Sequence, residues 1–196
     1  MTIILSTPVA RYEEPTIIQI KTSEEVLAHR QGLSTLLQEC VNEGSSIGFL
    51  APLSADDANE YWTAVASLIP QGNLHLFIFL SPTAEPNAPP SVLGTIQLLS
   101  IPKATHLHRA EILKLLVTPS ARRRGIARRL MEYVENFARE MGKEMLTLDT
   151  ATESAAMEMY RRLGWEEWGT CRDYASWPDG RRCDATFFRK DLGKSS

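Results

Sequence analysis

Cysteine is scarce in this chain of 196 residues: Cys40, Cys171 and Cys183 are the three present. Odd in number and widely spaced, they do not form a disulfide framework, and they fit a reduced, cytoplasmic protein better than a secreted one. No Cys/His pattern has the spacing of a zinc site, so no metal is expected. A basic excess is missing too. Lys and Arg number 21 against 24 Asp and Glu, a formal net charge of -3, whereas nucleic-acid binders usually carry a broad positive surplus. No apolar run approaches a membrane span. Met1 to Ser6 has neither the basic start nor the apolar stretch of a secretory leader. No internal repeat is visible. These absences leave one domain, since 196 residues with 43% hydrophobic content suffice for a single well-packed core.

The chain then divides by its hydrophobic periods. Residues 1–15 read as a loosely attached arm and 16–191 as the domain. Thr16 to Ile20 is a β-branched first strand. Thr22-Ser23-Glu24-Glu25 has the form of a capping box and opens a first helix that runs to Val41. Ile47 to Leu53 is an interrupted apolar loop, which either covers a site or packs on the core. Ser54 and Asp57 start a second helix whose buried stripe is Ala58, Tyr61, Trp62, Val65, Leu68 and Ile69. Strands at Leu74–Leu80 and Val92–Ser100 flank a proline-rich loop, and Ala110–Val117 is a fourth strand. A third helix carries Ile126, Leu130, Val134, Phe137 and Met141, and a fifth strand covers Glu144 to Thr150. Thr152 is expected to begin a fourth helix that ends at Gly164. Two last strands, Trp165–Tyr174 and Cys183–Lys190, are joined by the turn Trp177-Pro178-Asp179-Gly180. Strands alternating with helices imply an α/β sheet covered by helices on its faces.

Against the acidic background, one basic stretch stands out. Arg122-Arg123-Arg124-Gly125-Ile126-Ala127-Arg128-Arg129 lies between the fourth strand and the third helix. Unpaired N–H groups at a helix start, together with the helix dipole, favour an anion there. Gly125 leaves the approach open, and arginine forks suit phosphate oxygens. An arginine run at a helix start can also be merely solvated. The segment lacks the Gly-Lys-Ser/Thr of a nucleoside-triphosphate loop and the third glycine of a dinucleotide fingerprint.

With Arg122, Gly125 and Ala127 in the fixed places, the segment resembles the pyrophosphate loop of the GNAT acetyltransferases. Downstream, Ala156-x-x-Met159-Tyr160-x-x-x-Gly164-Trp165 is similar to a second motif of that family. Within it, the tabtoxin-resistance type is the nearest likeness, on His29-Arg30-x-Gly32-Leu33, Gly48-Phe49, Arg109-Ala110-Glu111-x-x-Lys114-Leu115, Pro119 to Arg122, Leu148-Asp149-Thr150 and Pro178 to Arg181. The resemblance implies the GNAT fold: a mixed, mostly antiparallel seven-stranded sheet flanked by four helices and splayed between its fourth and fifth strands to admit acetyl-CoA. It also implies transfer of an acetyl group from acetyl-CoA to an amine of a small molecule such as an amino acid, an amine or a toxin. A protein or peptide amine is the alternative acceptor, and a catalytically silent acetyl-CoA-binding module the alternative to an enzyme. Monomer and homodimer are both compatible with such a chain.

Roles follow from the same resemblance. Leu115, Leu116 and Val117 would offer backbone groups to the pantetheine arm, and Arg122, Arg123, Arg124, Gly125, Ile126, Ala127 and Arg128 would hold the pyrophosphate, with Ala156 and Tyr160 lining the donor. Tyr160 matches the tyrosine that protonates the departing thiolate, although a tyrosine on an apolar helix face is also an ordinary core residue. Asp149 and Glu111 are the candidate bases. Asp149 at a strand end can equally cap a helix, and Glu111 can equally be a solvated strand position. Glu153 stands where many family members have an asparagine.

Overall fold

A computed structural model describes residues 14–82 and 90–193. Most of the expected arm and most of the proline-rich loop lie outside them. In chain order the elements are β1 (Thr16–Ile20), α1 (Ser23–Asn42), α2 (Ala55–Leu68), β2 (Leu74–Leu80), β3 (Val92–Ser100), β4 (Arg109–Val117), α3 (Ile126–Glu140), β5 (Met145–Ala151), α4 (Met157–Arg162), β6 (Glu166–Ser176) and β7 (Arg182–Asp191). The strands form one sheet in the order β1-β2-β3-β4-β5-β7-β6. Every neighbouring pair is antiparallel except β4 with β5, giving the mixed α/β sheet with four helices that the sequence implied.

Local chemistry sets the helix starts. The Thr22 hydroxyl accepts from the Glu25 N–H at 3.2 Å and that of Ser54 from the Asp57 N–H at 3.1 Å. Each such cap stabilises a helix by about 1 kcal/mol. The Glu25 carboxylate reaches back to the Lys21 N–H, one residue beyond the position a capping box would use. Helix α4 corrects the sequence reading, for it begins at Met157 rather than Thr152. The Thr152 N–H donates to the Asp184 carbonyl at 2.9 Å and its hydroxyl pairs with that of Thr186, so β7 holds this residue on the sheet. Leu68 is also corrected: assigned to the buried stripe of α2, it is 41% exposed at that helix's last turn, and Met141, the last apolar position assigned to α3, is its C-cap and 37% exposed.

The sheet separates two cores. Leu33, Leu37 and Trp62 of α1 and α2 pack on Leu76, Ile78 and Leu80, while Leu130 and Val134 of α3 pack on Phe77, Phe79 and Leu98. Strand β2 is therefore apolar on both sides, as a central strand must be. Gly94 of β3 permits the close approach of α3. A Cβ there would stand 2.9 Å from the Leu116 carbonyl oxygen and within 3.2 Å of Ile126 and Leu130 side-chain atoms.

Two irregularities in β4 create the opening on which the rest depends. Its parallel pairing with β5 covers Arg109 to Glu111 against Met145 to Thr147 and stops there. Beyond that point β5 continues only with β7, and β4 only with β3. Along β3, Thr95 faces Leu116 but Gln97 faces Leu113, so β4 carries one extra residue in this interval. That bulge bends and twists the strand away from its partner. Lys114 sits within it at φ 49, a left-handed conformation that a non-glycine residue adopts at a cost of about 1–2 kcal/mol. The Thr95 hydroxyl holds the Lys114 carbonyl at 2.9 Å.

Candidate active site

The end of β4 delivers the chain to the basic loop, and α1 fixes the loop in place. The Thr118 hydroxyl donates to the Glu39 carboxylate, and Cys40 Sγ lies 3.5 Å from the Val117 carbonyl oxygen. Arg122 donates to Glu43 at 2.9 Å, to the Ser45 hydroxyl at 2.9 Å and to the Val117 carbonyl at 3.1 Å. Its fork is thus committed to the last turn of α1 and the segment after it, and its role in this structure is to brace the loop. Arg123 at φ 63 and Gly125 at φ 77, the N-cap of α3, are both left-handed. Among the described residues, no backbone N–H from Arg123 through Arg128 has a backbone acceptor, while the Arg129 N–H begins the helical series on the Gly125 carbonyl. Six successive donors therefore lie at one helix start. A Cβ built on Gly125 would meet nothing within 4 Å, so the space before these donors is open. Arg128 pairs with Glu132 at 2.7 Å, and Arg129 lies over the Phe79 ring at 4.8 Å, which seats the first turn of α3 on the sheet.

Where β4 and β5 part, a cleft of about 180 Å³ opens, lined by Leu113 to Leu116 on one side and Leu148 to Ala151 on the other, with Ser45 to Ile47 above and Ser154, Ala156 and Tyr160 below. Leu146 and Leu148 point into the core beneath α3, so alternation turns Thr147 and Asp149 toward the α1–α2 side. The interrupted loop expected at Ile47 to Leu53 does close over this side. Its Ala51 N–H donates to the Pro178 carbonyl of the β6–β7 turn at 2.8 Å.

Of the three proposed catalytic residues, Tyr160 and Asp149 line this opening and Glu111 does not. Tyr160 is 6% exposed, packed against Phe188 and Trp165 from the α3–α4 side, and reaches the cleft wall. Burial, with the Asp149 charge adding to it, pushes its phenol well above the usual range, so the group stays protonated and can donate. Asp149 lines the cleft. Burial raises its carboxyl, against the opposing pull of Lys114. Glu111 ends the paired part of β4, opposite Thr147, and its carboxyl is raised first by burial and then by Asp149, with Arg109 acting the other way. Ala156 is the N-cap of α4, its N–H held by the Ser154 hydroxyl at 3.1 Å.

Lys114 is the residue that sequence reasoning passed over. Strict alternation from Glu111 and Leu113 would turn it to the opposite face, with Ile112. The bulge instead places its Nζ over the rings of Phe49 at 5.1 Å and Tyr61 at 5.8 Å, on the α1–α2 side of the cleft. Gly48 brings the covering loop to 3.5 Å from that nitrogen, measured from the Cβ it lacks. No periodicity in the sequence signals this.

Comparison with known proteins then identifies the family. Residues 54–165 match the Acetyltransferase (GNAT) family. The chain belongs to that family. Membership makes it an acetyl-CoA-dependent acetyltransferase. Solved structures agree on the fold. A candidate acetyltransferase of Acinetobacter baylyi superposes with a TM-score of 0.74 at 17% identity, covering 93% of this chain and 96% of that one. A ribosomal-protein-alanine N-acetyltransferase of Brucella melitensis gives 0.68 at 21%, covering 90% and 99%. A candidate acetyltransferase of Salmonella typhimurium, solved with acetyl-CoA, gives 0.69 at 17%, covering 93% and 96%.

Proposed function

We propose that this GNAT enzyme moves the acetyl group of acetyl-CoA directly to the amine of a small molecule, an amino acid, simple amine or toxin, as the tabtoxin-resistance likeness of its sequence suggests. The observation that carries this is a cleft at the parting of β4 and β5 lined by both a protonated phenol and a carboxylate, in a chain whose α3 begins with six free N–H groups. The donor's pyrophosphate would meet the N–H groups of Arg123 to Arg128, with the guanidinium groups of Arg123 and Arg124 outside. Its acyl end would then lie between β4 and β5, against the backbone of Leu115, Leu116 and Val117.

The amine must lose a proton to attack the thioester carbonyl, and the thiolate must gain one to leave. Asp149 takes the first, directly or through water, with Glu111 the alternative base, and Tyr160 supplies the second. The amine nitrogen forms its bond to the carbonyl carbon and sheds its second proton to water, the carbon–sulfur bond breaks, coenzyme A leaves as the free thiol with the Tyr160 proton, and the phenol takes a proton back from water. A thiol-release assay with acetyl-CoA against a broad panel of amines tests the reading. Acceptor-dependent release is expected with at least one small amine. Release with none of them, or with peptide amines alone, would overturn it.

A further inference from the structure

Of the residues lining the cleft, Lys114 and Asp149 are the two that carry charge. They are not an ion pair, and among the described residues the Lys114 ammonium has neither a carboxylate partner nor a hydrogen-bond acceptor. Its neighbours are two aromatic faces. A half-buried ammonium given only π faces is under-satisfied, because cation–π contacts replace only part of its lost hydration. Holding it there also requires the left-handed backbone of the bulge and the Thr95 hydroxyl that pins it. The site thus presents a fixed cation, reachable from the cleft and lacking an anion, beside the carboxylate that receives the acceptor's ammonium in the reaction above.

Resting on that reading of the reaction, we infer that Lys114 is the specificity residue for the acceptor and binds a carboxylate on it, so that the acceptor class is an α-amino acid or a closely similar amino carboxylate. Such a zwitterion matches the cleft charge for charge: its ammonium meets Asp149 and its carboxylate meets Lys114. An amine without the carboxylate would leave Lys114 as it is, and a peptide N-terminus would bring a neutral amide to the place where the anion belongs. Asp149 supports Lys114 in its charged form while burial opposes it, and an incoming carboxylate adds to that support.

Matched acceptors decide this: each of the twenty amino acids, its amide and its decarboxylated amine, compared by thiol release with wild type and with Lys114→Met, which keeps the apolar stem between Phe49 and Tyr61. A charge-assisted contact predicts that wild type prefers at least one free acid over its amide and amine by roughly 10- to 100-fold in kcat/KM. Lys114→Met should remove the preference by losing much more activity on the acid than on the amide or the amine. The wild-type comparison stands even if the variant does not fold. Transfer to amines or amides with no preference for the acid, or a preference that survives Lys114→Met, overturns the assignment of Lys114 and leaves the acetyltransferase reading intact. Release with no small acceptor at all overturns both.

Discussion

Gly125→Glu tests the donor site most directly, because the structure separates its two consequences. The first is strain: at φ 77 any side chain costs about 1–2 kcal/mol, which falls on folding and is shared by Gly125→Ala. The second acts on the ligand. A Cβ at this position meets no protein atom within 4 Å, so the added carboxylate enters the space in front of the free N–H groups. Two units of phosphate charge about 5 Å away would repel it by about 7 kcal/mol at an effective dielectric of about 20. Halved by solvent and salt, that still weakens acetyl-CoA binding by roughly 100-fold or more. Calorimetry on the folded variants should therefore show a large loss for Gly125→Glu and less than about a tenfold loss for Gly125→Ala. A donor without the pyrophosphate, such as acetyl-pantetheine, should be used equally well by wild type and Gly125→Glu. Unchanged acetyl-CoA affinity in the Glu variant, or an equal loss with the truncated donor, would refute the assignment of the loop to phosphate.

Three other outcomes follow from the same geometry. Tyr160→Phe is expected to lower turnover by roughly 100-fold with little change in donor affinity, since its proton is needed only as the thiolate departs; the kcat and KM of the variant check this. Asp149→Asn should cost more activity than Glu111→Gln, most of all at neutral pH where the acceptor is an ammonium. Because burial raises the Asp149 pKa, wild-type kcat/KM should fall as pH drops through that raised value, and the ionised form costs stability above it, so Asp149→Asn should melt no lower than wild type at neutral pH. Glu135, 5% exposed, accepts from Lys190 Nζ at 2.6 Å and from Trp165 Nε1 at 3.0 Å, joining α3 to β7 and to the segment between α4 and β6, so Glu135→Ala should destabilise the fold by about 3–5 kcal/mol in denaturant titration.

Which of these parts the sequence announced depends on the range of the interaction. Helix caps at Thr22 and Ser54 and the strands Leu74–Leu80 and Val92–Ser100 are written in consecutive residues, and they appear at the expected places. The free N–H groups before α3 were legible for the same reason. Nothing local tells that Arg122 is taken by Glu43, 79 residues earlier, or that Thr152 is held by β7 and so delays α4. The face of a strand residue is legible only while the pairing stays regular. One extra residue in β4 reverses the parity after Leu113, and the reading of Lys114 was lost with it.

That same extra residue ties the two halves of the site together. Before it, Ala110 and Ile112 face the core beneath α3; after it, Val117 does, while Leu116 packs beneath α1. Both sets of contacts are needed, one to anchor the paired start of β4 and the other to hand Val117 to Cys40 and Arg122 and so aim the basic loop. A regular strand would satisfy one set and turn the other inside out. The bulge satisfies both, and the twist it brings accompanies the parting of β4 from β5 that opens the cleft. Its by-product is a side chain, Lys114, placed out of alternation on the α1–α2 side of the sheet. The course of β4 into the basic loop and the position of Lys114 therefore depend on the same residue of register.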